Sequence, residues 1–122
     1  METTIREKGN MEISTREKGK VLVFDIRGDL DAKSATVLKD RINEKITEGK
    51  AMILINLTDV PYMDSAGLGV LVSGLKNANR LSGDLRIWGL QDEVKSIFEL
   101  TRLNKVFQIF EDENSALVSF QG

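Results

Sequence analysis

From residue 21 to the end of the chain, short apolar runs of strand length alternate with stretches of helical spacing, and few folds accept that order. Val21-Leu-Val-Phe-Asp-Ile26 reads as a strand. Over 32–48 the apolar residues Ala35, Val37, Leu38, Ile42 and Ile46 fall mostly at helical intervals, and Gly49 follows as a stop. Met52-Ile-Leu-Ile-Asn-Leu57 is apolar nearly throughout, as a strand covered on both faces must be. A loop over 58–65 then hands over to a helix that starts near Ser65 and ends around Ser82-Gly83. Its apolar residues Leu68, Leu71, Val72 and Leu75 are expected to face the core, leaving Ala66, Gly69, Val70, Ser73 and Asn77 outside. Leu85-Arg-Ile-Trp88 reads as a short strand and 93–103 as a helix with Val94, Ile97, Phe98 and Thr101 inward. A strand over 106–110 and a closing helix over 113–120 complete the pattern. Strictly alternating strands and helices imply an α/β architecture: a mixed, mostly parallel sheet with about four helices.

The start of the chain adds an antiparallel edge. Met11 to Glu17 alternates weakly, and Lys18-Gly19-Lys20 joins it tightly to the strand at 21, the pattern of a hairpin. Residues 1–10 are polar and lack periodicity. Arg6-Glu-Lys-Gly9 recurs as Arg16-Glu-Lys-Gly19, and Met11 offers a second start codon. The segment is therefore read as an N-terminal tail without function, and 11–120 as one domain.

Composition narrows the chemistry. With no cysteine and no histidine among 122 residues, thiolate chemistry, disulfides, the commonest general base and the commonest transition-metal ligand are missing. A formal net charge of −2 makes no case for nucleic acid or an anionic membrane, and no apolar run reaches the roughly 18 residues of a membrane helix. These features point to the cytoplasm and argue against most enzymes; the expectation is a protein that is not an enzyme and needs no cofactor, and, apart from composition, a monomer or weak dimer.

Two loops at the carboxyl ends of strands, where α/β proteins meet their ligands and partners, carry unusual residues. They are Gly28-Asp-Leu-Asp31 and Tyr62-Met-Asp-Ser-Ala-Gly-Leu-Gly69. The second sets the hydroxyl of Ser65 at the start of a helix, where free N–H groups and the dipole favour an anion. Ser65 as a plain helix cap is the simpler reading of that spacing. Glycines at 67, 69 and 74 each destabilise a helix interior by about 1 kcal/mol relative to alanine. Close packing on the sheet and close approach by another protein account for them equally well. Gly67-Leu-Gly69 is no dinucleotide loop, because Val72 stands at the third glycine position. A metal among Asp29, Asp31, Asp59 and Asp64 is not expected, since acidic loop residues usually cap helices or face solvent.

These residues resemble a known family. Gly28-Asp-Leu-Asp31, the apolar strand at 52–57 and above all Tyr62-Met-Asp-Ser-Ala-Gly-Leu-Gly-Val70 are similar to the STAS domain of anti-sigma factor antagonists, over about residues 11–120. The resemblance implies the STAS fold and a protein that switches partners. In its unphosphorylated form such a protein binds a serine-kinase anti-sigma factor and releases the sigma factor. Phosphorylation, here on Ser65, switches binding off, and a metal-dependent serine phosphatase resets it. The partner-binding surface implied is Asp29, Asp31 and Asp64 with Ala66, Gly67, Leu68, Gly69 and Val70. Ala66 departs from the family, whose members often carry a second serine there. The alternative within the family is a constitutive STAS interaction module, in a signalling scaffold or a transporter complex, with Ser65 only a cap.

Overall fold

The computed structural model describes residues 3–7 and 11–121. Six strands form one sheet in sequential order: β1 (Thr3–Glu7), β2 (Met11–Lys18), β3 (Val21–Gly28), β4 (Met52–Asp59), β5 (Asp84–Trp88) and β6 (Ile109–Phe110). β1, β2 and β3 pair antiparallel, and β3 to β6 run parallel. The parallel connections are α1 (Ala32–Thr47), α2 (Ser65–Arg80) and α3 (Asp92–Leu100), and α4 (Glu113–Ser119) closes the chain. Right-handed crossovers between successive neighbours place α1, α2 and α3 on one face of the sheet. α4 takes the other.

The strand pattern records both layers. Leu22, Phe24, Ile26, Ile53, Ile55, Leu57, Leu85 and Ile87 point toward α1–α3 and form the main core with Leu38, Ile42, Leu71, Val94 and Phe98. Val21, Val23 and Leu54 alternate with them and pack on the opposite face against Ala116 and Phe120 of α4. Strands buried on both faces are apolar at consecutive positions, which explains why β3 and β4 lack polar alternation.

The structure departs from the sequence reading in four places. Residues 3–7, expected within a tail, form β1 and pair with β2 in the register Ile5↔Ile13. Backbone pairing to an open edge needs no apolar pattern in the added strand, so the sequence carries no signal for it. The rest of that expected tail, 1, 2 and 8–10, lies outside the described residues. The helix expected over 93–103 stops at Leu100, because Arg102 takes a left-handed φ of 63°, and Thr101 is exposed rather than inward. A single 3₁₀ turn, Leu103–Lys105, follows. The strand expected over 106–110 is reduced to Ile109–Phe110, since that turn carries Val106 out into solvent. Finally, α2 is rotated from its expected phase: Val70 is buried and Val72 only half-buried.

Candidate functional site

The β3–α1 and β4–α2 loops lie side by side because β3 and β4 are parallel neighbours. The Leu30 N–H donates to the Tyr62 carbonyl at 3.0 Å, and the Asp64 N–H donates to the Leu30 carbonyl at 3.3 Å. Leu30 and Met63 form an isolated parallel bridge, and both side chains are fully buried. The two loops are thus extensions of their strands, zipped at one residue pair and anchored by two apolar side chains. Gly28 enables the first loop to turn, with φ at 102°.

Each loop ends in a carboxylate that caps the next helix. Asp31 Oδ1 accepts from the N–H groups of Lys33 at 3.1 Å and Ser34 at 3.0 Å, while the Ser34 hydroxyl bonds back to the Asp31 N–H, a complete capping box. The Ser34 N–H holds the Asp31 carboxyl below the usual carboxylate range. Asp64 Oδ1 accepts from the N–H groups of Ala66 at 2.9 Å and Gly67 at 3.4 Å. Asp64, not Ser65, is therefore the cap of α2, and the simpler reading of Ser65 fails. Ser65 is the first helical residue; it is exposed, and its hydroxyl has no hydrogen-bond partner among the described residues.

This arrangement has an electrostatic consequence. Two of the N–H groups that would cradle an anion at the α2 terminus, those of Ala66 and Gly67, are already occupied by the Asp64 carboxylate. A charge added to Ser65 would compete with that carboxylate for the turn's donors and would stand on the exposed side of the helix. Nearby, Asp59 pairs with Arg27 across the surface at 3.8 Å.

The phase of α2 follows from its small residues. Gly67, Gly74 and Ala78 lie at the centre of the buried arc, flanked by Leu68, Val70 and Leu71. A Cβ on Gly67 would stand 2.8 Å from the Leu30 carbonyl oxygen and 2.8 Å from Met63 Cγ. One on Gly74 would stand 2.9 Å from Leu85 Cδ1. These two glycines seat the helix on the β3–α1 loop and on β5. The opposite face carries Ser65, Gly69, Val72 and Lys76, each about one turn from the next.

Of the residues singled out from the sequence, Asp29, Asp31, Asp64, Ser65 and Ala66 gather on the zipped loops and the first turn of α2. Gly69 continues that surface. Gly67, Leu68 and Val70 do not reach it: they are buried, and they shape the surface from beneath. Reading leucines as the centre of the apolar face concealed that Val72 is only half-buried and that Lys76, one turn beyond it, is exposed. Tyr62, which opens the motif over 62–70, is 48% exposed on the same loop as Ser65.

Comparisons with known proteins agree with this fold. The family pattern described as the STAS domain matches residues 12–116. An anti-sigma-B factor antagonist of Listeria monocytogenes is 32% identical over 100 residues, spanning 82% of this chain and 87% of the relative. Two solved structures share the fold. An anti-sigma factor antagonist from Mycobacterium paratuberculosis superposes with a TM-score of 0.85 at 19% identity, over 97% of this chain and 100% of that one. The phosphorylated form of the Bacillus cell fate determinant SpoIIAA superposes with a TM-score of 0.70 at 17% identity, over 88% and 97% of the two chains.

Proposed function

Because the chain belongs to the STAS domain family, we propose that it is an anti-sigma factor antagonist switched by phosphorylation of Ser65. Unphosphorylated, it binds a serine-kinase anti-sigma factor in the cytoplasm and so releases the sigma factor; a serine phosphatase reverses the modification. The observation that carries this reading is the Ser65 hydroxyl, exposed and unbonded beside a neighbouring residue that has taken over the capping role. A serine needed to cap α2 would lose that bond on phosphorylation. This one gives up nothing.

The switch then works at the contact, not through the fold. A phosphoryl group adds about −1.5 to −2 charges beside the Asp64 carboxylate. In the free protein water solvates it. Beneath a docked partner without a matching cation it would be stripped of water, at several kcal/mol. Since 1.4 kcal/mol is a tenfold change, a cost of about 4 kcal/mol weakens binding nearly a thousandfold.

The test is phosphorylation in vitro. With its kinase and ATP the protein is expected to gain one phosphate, on Ser65, and Ser65→Ala none. Ser34 is buried and hydrogen-bonded within its capping box, and Ser96 bonds to the Asp92 carbonyl at 3.1 Å. Equal labelling of Ser65→Ala would overturn the assignment.

A further inference from the structure

We propose that Gly69 is the point of closest approach between α2 and the anti-sigma factor, a position without a side chain so that the partner's main chain can lie against the helix. The inference rests on the reading above and adds to it the residue that sets the fit.

α2 contains glycine at 67, 69 and 74, and glycine in a helix interior is unfavourable relative to alanine. Two of the three are explained inside the chain by the close contacts of Gly67 with Leu30 and Met63 and of Gly74 with Leu85. Gly69 differs. A Cβ built there meets no atom within 4 Å, its φ lies outside the left-handed region, and it faces solvent. Neither packing nor backbone conformation requires glycine at this position, so the folded chain alone would be better served by alanine.

What Gly69 has is its place. It lies one turn, about 6 Å, beyond Ser65 on the same face. Val72 lies beyond it on that face, and the first charged side chain of the stripe is Lys76. A partner that covers Ser65 must therefore pass over Gly69, where the helix backbone is bare. The chemistry suits an uncharged main-chain segment, such as a helix crossing α2, because a side chain at 69 would hold the two backbones apart. The same close fit would press the partner onto Ser65, which makes binding sensitive to a phosphoryl group there.

The experiment measures melting temperature and binding for wild type, Gly69→Ala, Gly69→Leu, Ser65→Asp and Asn79→Ala. The binding partner is each purified serine-kinase anti-sigma factor of the same genome in turn. Both position-69 variants should melt at or above wild type, since alanine and leucine are better helix formers. Gly69→Ala should bind at least about tenfold more weakly and Gly69→Leu more weakly still. Asn79→Ala, exposed near the far end of α2, should bind like wild type. If Gly69→Ala binds within about twofold of wild type while Ser65→Asp loses binding, this inference falls and the functional reading stands. A lower melting temperature for Gly69→Ala would show that the fold itself needs the glycine, and would also overturn it. If wild type binds none of these kinases, the functional reading falls and takes this inference with it.

Discussion

At the scale of the residue, the division of labour between Asp64 and Ser65 decides how the site behaves. The Asp64 carboxylate satisfies two N–H groups at the α2 terminus, and Ser65 satisfies none. Asp64→Ala should therefore cost about 1 kcal/mol of stability, the ordinary worth of a cap. Ser65→Ala should stay within about 0.5 kcal/mol of wild type, as surface substitutions do. Ser65→Asp should also melt close to wild type, because the usual gain of an acidic side chain in the first turn is opposed by the adjacent Asp64. Its partner affinity should nevertheless fall at least about tenfold. Thermal denaturation of the three variants, with binding curves for Ser65→Asp, checks this set. A destabilised Ser65→Ala would mean that the hydroxyl is structural after all.

At the scale of the element, β2, β3, β4 and α4 are tied by a polar cluster remote from Ser65. Arg16 Nη2 donates to Asp25 Oδ1 at 2.8 Å, Asn56 Nδ2 donates to the same oxygen at 2.7 Å, and Arg16 also reaches Glu113 at the start of α4. Burial alone would raise the Asp25 carboxyl, but the hydrogen bonds from Arg16 and Asn56 together with the nearby positive charges outweigh it. The net shift is below the usual carboxylate range. A carboxyl that is depressed in the folded state contributes stability that is fully present above its unfolded value, about 3.9, and is lost as pH falls through the folded value. Asp25→Asn should thus be less stable than wild type at pH 7 by roughly 1–3 kcal/mol. The gap should close as pH falls below about 4. Urea unfolding from pH 7 to pH 2 tests it, and a constant gap would show that Asp25 acts through packing.

At the scale of the whole molecule, the site sits on loops that are pinned on both sides. Leu30 and Met63 are buried beneath it, Gly67 allows no space below the first turn of α2, and the sheet carries a core on each face. A surface change at Ser65 has no loose element to move. Phosphorylation should therefore leave the melting temperature of the free protein within a few degrees, the equivalent of less than about 1 kcal/mol. Backbone chemical shifts should change only around 28–31 and 62–69. Widespread shift changes, or unfolding on modification, would point to a conformational mechanism in place of the interfacial one.

How much of this was legible beforehand differs between strands, helices and site. The order of β2 to β5 and the helices α1, α2 and α4 were written in the periodicity, because strands buried on both faces must be apolar throughout and α1 must show one apolar stripe. The loop residues Asp29, Asp31, Asp64 and Ser65 also stood out, since strand ends in a parallel sheet converge on one edge and the motif there is dense in small and acidic types. Three things depended on the packed molecule. Strand β1 pairs through backbone groups that no side-chain pattern announces. The phase of α2 is set with Gly67 and Gly74 pressed against the β3–α1 loop and Leu85, where a Cβ would already be crowded, so that Val70 turns inward and Val72 only partly, while hydrophobicity points to the leucines. And the cap of α2 passed to Asp64, for either residue of an Asp-Ser pair can accept those N–H groups. Only the extended backbone at Asp64, held by its N–H bond to Leu30, settled which one does.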